Sequence, residues 1–158
     1  MKRSLLVLVS LIMAIPLINF GYLAIQYFAV GPVKDCKIEL SEVKVEEASV
    51  DGAILVATVT IDNPTDRSVR IDGFEYTLFA NDTPIGTYKI SRIILIPAGS
   101  SIKLKGTFEV RYPTMPTGII RAIMNGRLEE IEWRIEGEFY VNSTLGTFGV
   151  LFNVTTGR

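Results

Sequence analysis

The stretch that most constrains the fold of this chain runs from Ile54 to Asn81, ILVATVTIDNPTDRSVRIDGFEYTLFAN. A run rich in β-branched residues leads into Asn63-Pro64, and two further runs with strand character follow. Proline lacks an amide proton and holds the preceding residue in an extended conformation, so a strand ladder stops at Pro64. The stretch therefore predicts a strand, a sharp turn and two more strands.

The same alternation of apolar and polar residues recurs along the chain, in runs that turn signals separate every ~10 residues. The clearest run places Ile102, Leu104, Phe108 and Val110 on one face. We expect an all-β fold, an antiparallel β-sandwich of the immunoglobulin or fibronectin type III kind with about seven to eight strands. One short helix, from Gly118 to Asn125, would interrupt the strands.

Three local details refine this sandwich. The strand from Ile54 to Ile61 carries apolar residues on both faces, which predicts a central and largely covered strand. The apolar phase of the first strand slips at Ser41-Glu42, which indicates either a β-bulge or two short strands. The apolar stripe of the helix, which Thr117 would cap, indicates either a lid over the core or a groove for a partner.

The amino-terminal segment has the composition of a membrane anchor. Residues 5–30 are mostly apolar and uncharged, and a bilayer-spanning helix needs about 20 such residues. A cleaved signal peptide is the alternative, although Pro32 would follow the nearest cleavage site. With Lys2 and Arg3 in the cytoplasm, a retained anchor would hold the remaining chain on the outer face of the cell membrane. The predicted parts are a transmembrane anchor (1–31), a linker (32–37) and the sandwich domain (38–158).

Three N-glycosylation sequons fit an extracytoplasmic location. They begin at Asn81, Asn142 and Asn153. Sequons also arise by chance, and Pro84 closely follows the first, so they support the location only weakly.

The composition excludes several chemical classes. Histidine is absent and Cys36 is the single cysteine, so the chain has no intramolecular disulfide, no thiolate metal cage and no histidine base. Cys36 itself is expected to be a small, partly buried hydrophobe. The net charge of −1 and the scattered basic residues argue against a nucleic-acid partner. We expect no enzyme activity, no cofactor and no small-molecule substrate.

Two groups of carboxylates could in principle do chemistry. Glu136 and Glu138 share one strand face and could form an acid/base pair, although a solvated face is the stronger interpretation. Asp62, Asp66 and Asp72 surround the turn that ends the first strand of the opening stretch, and loop oxygens of this kind can hold calcium. Interleaved arginines favour salt bridges there, so we predict no metal site.

Several short motifs, in a fixed order, carry a family resemblance. They are a hydrophobic strand ending in Asn63-Pro64, then Gly73-x-x-Tyr76-x-Leu78-x-x-Asn81 and Gly86, then Ile96-Pro97-Ala98-Gly99-Ser100-Ser101, and finally Ile135-Glu136-Gly137-Glu138-Phe139 with Leu145-Gly146. In this order and spacing the sequence resembles the WHy domain (water stress and hypersensitive response) of the folded late-embryogenesis-abundant, desiccation-related proteins. The match covers about Ile38 to Val154, and Thr65 departs from the Asn-Pro-Asn form often seen.

The resemblance implies a fibronectin-like sandwich with a stress-protective or binding role and no catalytic residues. The residues to which it gives a structural role are Asn63, Pro64, Gly73, Tyr76, Gly86, Pro97, Gly99 and Gly137. For Asn63 we expect the side-chain amide to fix the turn, so that its replacement by alanine destabilises the domain by ~1–2 kcal/mol.

Two functions follow for such a module. The first is a membrane-anchored domain on the outer face that protects proteins or membrane during desiccation or osmotic stress through weak surface contacts. The alternative is a sandwich subunit that docks on another envelope protein through the helix stripe or an edge strand. The expected partners are therefore the membrane, through the amino-terminal helix, and an envelope protein.

Overall fold

The computed structural model describes residues 15–16, 18–24, 31, 33–143 and 146–156. Its strands are β1 (Lys37–Ala48), β2 (Gly52–Asp62), β3 (Val69–Ile71), β4 (Gly73–Ala80), β5 (Thr83–Ile90), β6 (Ile94–Ile96), β7 (Ser101–Arg111), β8 (Trp133–Ser143) and β9 (Gly146–Thr155). Helix α1 (Thr117–Met124) lies between the short 3₁₀ turns Tyr112–Thr114 and Leu128–Glu130. Within these ranges the chain is mostly β, with nine strands where the sequence predicts seven to eight.

Two antiparallel sheets enclose the core. One has the strand order β1-β2-β7 and the other β5-β4-β8-β9, while β3 and β6 form a small ribbon of their own. Alternation along each strand places one side chain in two between the sheets, where Phe74, Tyr76 and Leu78 of β4 are fully buried. The ring centroids of Tyr76 and of Phe108 from β7 lie 5.8 Å apart across the core.

Strand β2 is the central strand of its sheet, as the sequence predicts. Leu55, Ala57 and Val59 have no exposed surface. On the opposite face Val56 and Thr58 are also buried, each 5% exposed. Because both faces are covered, the sequence of β2 is a nearly continuous run of apolar residues and does not alternate strictly between apolar and polar residues.

A β-bulge interrupts β1 where the apolar phase slips. The pairing of β1 with β2 shifts register between Leu40 and Glu42, and a second shift lies between Val45 and Glu47. The strand remains continuous through both, so the bulge interpretation is confirmed and the alternative of two short strands is wrong.

Helix α1 covers one end of the core. Ile119 and Ile123 are each 2% exposed, whereas Met124 at the end of the stripe is 62% exposed. The stripe therefore packs inward as a lid, and it is not a groove for a partner. Thr117 is not the cap, because the helix begins at Thr117 and Pro116 occupies the capping position without a side-chain hydrogen bond.

The transmembrane helix in the predicted fold class is wrong. In the described ranges no helix is long and apolar enough to cross a membrane. Most of the segment 1–31 lies outside the described residues.

Candidate functional site

The side chain of Asn63 holds together the corner where β2 leaves its sheet. Its amide nitrogen donates to the carbonyl oxygens of Arg67 (2.7 Å), Ile96 (3.1 Å) and Pro97 (3.0 Å). Its oxygen accepts hydrogen bonds from the backbone amide (3.1 Å) and the hydroxyl (2.7 Å) of Thr65. Asn63 has no exposed surface, so its polar atoms serve the backbone and are not directed at a ligand.

The other residues of the family motif mark turns and close strand contacts. Gly99 has a φ of +62° and its amide donates to the carbonyl of Thr65, which ties the 97–101 turn to the Asn63 corner. A Cβ on Gly137 would overlap the carbonyl oxygen of Glu75 and would lie 2.6 Å from the ring of Phe152. These residues are spread over several strands and turns, and the structure does not bring them together into one site.

The three sequon asparagines are exposed. Asn81 lies in the turn between β4 and β5 with a φ of +46°, and its oxygen accepts a hydrogen bond from the backbone amide of Glu132. Asn142 lies near the end of β8, and Asn153 lies within β9, where its amide donates to Glu136. Their modification stays a prediction.

Asp66 and Asp72, near the Asn63 corner, interact with neighbouring arginines, and Asp72 also accepts a hydrogen bond from a backbone amide. Both Nε and Nη2 of Arg70 donate to Asp72 Oδ1, at 2.9 and 2.6 Å, and the backbone amide of Asn142 donates to Oδ2 at 2.8 Å. Asp66 lies 4.0 Å from its neighbour Arg67. Among the described residues no group of three potential ligands could hold a metal ion.

The network around Asp72 predicts acid sensitivity. Burial acts to raise the pKa of the Asp72 carboxyl, but the Asn142 amide and the Arg70 guanidinium outweigh it and lower the pKa. A lowered folded-state pKa stabilises the fold above the unfolded-state pKa, and the contribution is lost as the pH falls through the folded-state value. Part of the fall in melting temperature below about pH 4 should therefore disappear in Asp72→Asn. An identical acid-induced fall in both proteins would contradict this assignment.

Cys36 is a poor nucleophile in this setting. The thiol is half-buried, and burial, followed by the charges of Asp35 and Asp62, raises its pKa to about 11. The thiolate is therefore scarce at neutral pH.

Alkylation measures this effect directly. At pH 8 we expect Cys36 in the folded protein to react with iodoacetamide at least ~10-fold more slowly than in the urea-unfolded chain. Equal rates in the two states would show that the thiol is not protected.

A groove on the outer face of the four-stranded sheet combines charged and aromatic side chains. It has a volume of about 610 Å³. Strand β4 supplies Glu75 and Phe79, β8 supplies Glu138 and Tyr140, and β9 supplies Leu151, which is 81% exposed. We call this feature the outer groove.

Two of the three carboxylates of the outer groove form ion pairs within the sheet. Glu75 lies 2.9 Å from Lys89, and their hydrogen bond raises the pKa of the Lys89 ammonium. Glu136 bonds to Arg134, whose guanidinium stacks 4.3 Å from the centroid of the Phe79 ring. The groove thus presents hydrogen-bonding groups and aromatic surface with little net charge.

On one side of the outer groove, the carboxylate of Glu138 is hydrogen-bonded to the hydroxyl of Tyr140. Partial burial, the hydrogen bond with Glu138 and the nearby carboxylates together raise the pKa of the Tyr140 hydroxyl. Glu136 and Glu138 point to the same face, and each has its own partner on the sheet: Glu136 bonds to Arg134 and accepts from Asn153 at 3.0 Å, and Glu138 bonds to Tyr140. This arrangement agrees with the interpretation of the two carboxylates as a solvated face.

The sequence did not identify this groove as a unit. Its outward residues alternate with core residues on three strands that are distant along the chain, and only the pairing of β4, β8 and β9 brings them side by side. The available signals were Phe79 and Tyr140, two aromatic residues at outward positions of otherwise polar strand faces.

Solved structures similar to this chain include plant and archaeal proteins. A protein of Arabidopsis thaliana solved in solution is 17% identical, covers 75% of this chain and 77% of its own, and superposes with a TM-score of 0.51. A candidate late embryogenesis abundant (LEA) protein is 15% identical over 93% of this chain and 82% of its own, with a TM-score of 0.49. A protein of Archaeoglobus fulgidus is 14% identical over 77% and 98%, with a TM-score of 0.46. No curated protein matches the sequence significantly.

The described strands form a β-sandwich of two antiparallel sheets. The family model for late embryogenesis abundant proteins matches residues 58–156, which is more than half of the sequence. The chain belongs to this late embryogenesis abundant family, and membership gives it a stress-related function of the LEA type. The family is generally non-enzymatic.

Proposed function

We propose that the chain is a WHy-type LEA domain that protects other proteins during desiccation or osmotic stress through weak surface contacts. The outer groove is the observation that supports this role most directly. Glu75 and Glu136 are already paired with Lys89 and Arg134, and Glu138 is hydrogen-bonded to Tyr140, so a bound surface need supply little matching charge. Such a surface discriminates little between partners, because specificity requires unpaired or clashing groups.

Phe79 and Tyr140 supply the contact area of the groove. Both rings are partly exposed. Each also contacts a cation of the same sheet: the guanidinium of Arg134 lies over the ring of Phe79, and the ammonium of Lys89 lies over the ring of Tyr140. Aromatic rings offer a large contact surface at a small cost in side-chain entropy. Contacts of this kind would be individually weak and would increase as water is withdrawn.

A drying assay tests the proposal. The full-length chain should preserve the activity of a drying-sensitive dehydrogenase better than an inert protein of equal mass. The double variant Phe79→Ser/Tyr140→Ser should lose at least half of that protection. Val50→Ser/Met124→Ser is the matched control, because it removes two exposed apolar side chains elsewhere and should retain protection. Protection no better than that of the inert protein would refute the role.

The second candidate is an interaction subunit that binds one dedicated protein. The apolar stripe of α1 is not available as a docking surface for such a partner, since Ile119 and Ile123 are buried. Strand β9 at the edge of the four-stranded sheet is the feature that favours this function. Crosslinking of the full-length chain in its native cells, followed by purification, distinguishes the two. One stoichiometric partner would favour the subunit, and many weak partners would favour protection.

A location outside the cytoplasm remains part of the proposal. The exposure of Asn81, Asn142 and Asn153 supports it, since a sequon must be accessible to be modified. In a secretory host we expect a glycosidase-sensitive increase in mass, which replacement of all three asparagines by glutamine should abolish.

A further inference from the structure

Among the residues that the structure describes, no strand pairs with the outer edge of β9. Strand β9 is the last strand of the order β5-β4-β8-β9, and its ladder with β8 runs without a register shift. The amide of Thr156 donates to the carbonyl of Trp133 in β8. The amide and carbonyl groups of successive residues in a strand point to opposite sides. Because the amide of Thr156 points toward β8, the other even-numbered residues of β9 also direct their amides and carbonyls toward β8. The residues whose amides and carbonyls then face away from β8 are Thr147, Gly149, Leu151, Asn153 and Thr155.

The three other sheet edges carry features that block pairing. Strand β1 has two bulges and six charged residues along its 12 positions. Strand β5 contains Pro84 and Lys89, and β7 carries Lys103 and Lys105 on its outward face. Charges, bulges and proline at an edge prevent a second strand from adding to it. Strand β9, with the sequence GTFGVLFNVT, has none of these features.

The geometry points to a second copy of this chain as the occupant of the edge: β9 pairs antiparallel with β9 of the other copy about a two-fold axis at Leu151. This register places Leu151 opposite Leu151 of the second copy and Gly149 opposite Asn153 of the second copy. All five outward residues then find partners, which forms about ten backbone hydrogen bonds. The pair also covers Leu151, which is 81% exposed in one copy.

Electrostatic repulsion between the two β9 strands does not oppose this self-pairing. Strand β9 carries no charged residue, so none is brought against its own copy. Within the four-stranded sheet, the acid directly beside Leu151 is Glu138, which pairs with Leu151 in the β8–β9 ladder. Three strand spacings would separate Glu138 from Glu138 of the second copy, which is ~14 Å and beyond the ~8 Å screening length at physiological salt.

The dimer should be in exchange with the monomer. A contact along one strand edge buries less surface than the ~1,200 Å² of a typical stable complex, so we expect association at ~0.1 mM and dissociation on dilution. The interface lies at the edge of the sheet, and it does not depend on the protective role proposed for the outer groove.

Charge placed at residue 151 tests the register. In sedimentation velocity at ~0.1 mM the full-length chain should dimerise, whereas Leu151→Lys and Leu151→Glu alone should weaken dimerisation at least ~10-fold by opposing like charges. An equimolar mixture of the two variants should recover dimerisation, because each Lys then faces a Glu. Val50→Lys is the matched control, since it adds the same charge at a 90% exposed aliphatic residue outside β9 and should dimerise normally.

Three results would overturn the inference. The first is a wild-type chain that stays monomeric up to ~0.5 mM, well above the range of weak complexes. The second is a Leu151→Lys variant that associates as strongly as wild type. The third is a mixture of the Lys and Glu variants that fails to associate although both melt at the wild-type temperature.

Discussion

Replacing Asn63 by alanine is expected to lower the free energy of unfolding by about 4 kcal/mol, more than the turn alone predicts. The variant removes all five hydrogen bonds of this side chain: three that its amide donates to the carbonyls of Arg67, Ile96 and Pro97, and two that its oxygen accepts from Thr65. Each contributes about 0.5–1.5 kcal/mol, and two amide protons shared among three acceptors reduce the sum. Urea unfolding followed by the fluorescence of Trp133, the single tryptophan, measures the loss.

A milder variant in the same network is the control. Thr65→Val removes only the hydroxyl that bonds Asn63 at 2.7 Å and Arg67 at 3.0 Å, so we expect a loss of about 1 kcal/mol. If Asn63→Ala proved no more harmful than Thr65→Val, the long-range bonds to Ile96 and Pro97 would not contribute to stability.

Replacing Gly137 by alanine should cost about 3 kcal/mol, because the site has no room for one methyl group. The new Cβ would overlap the Glu75 carbonyl oxygen and would lie 2.7 Å from the Cβ of Tyr76 and 2.6 Å from the ring of Phe152. The backbone carbonyl cannot rotate away without breaking the ladder between β4 and β8. Differential scanning calorimetry of both proteins at the same pH gives the change.

The comparison for this variant is Gly118→Ala. Gly118 lies in α1, and a Cβ there would meet no atom within 4 Å. Alanine is the better helix former, so this substitution should stabilise the protein by about 0.5–1 kcal/mol. A loss of similar size in both variants would mean that glycine flexibility, and not the close approach of Phe152, explains the effect at Gly137.

Local patterns of the sequence predicted the strands well and the long-range contacts poorly. The register shift after Leu40 and the end of β2 before Pro64 each depend on a few adjacent residues, so the sequence alone predicted both. The bonds from Asn63 to Ile96 and Pro97 span 33 and 34 residues, and no local rule assigns them.

The membrane helix shows the converse limit. Hydropathy of residues 5–30 reports how favourably such a segment would enter lipid, and the prediction rested on that alone. A span also requires a long, continuous helix, and hydropathy alone does not establish one. Composition therefore shows only that a segment could enter lipid, which is a weaker statement than a spanning helix.

By itself the sequence determined an all-β chain of the LEA family, because alternation with a period of two and proline-containing turns act over a few residues. Only the tertiary structure decided which strands are neighbours. That choice assembles the outer groove from β4, β8 and β9 and places β9 at the edge of its sheet. Strand order depends on the combined burial of both sheets and on backbone pairing between distant segments, and neither quantity is contained in any short stretch of residues.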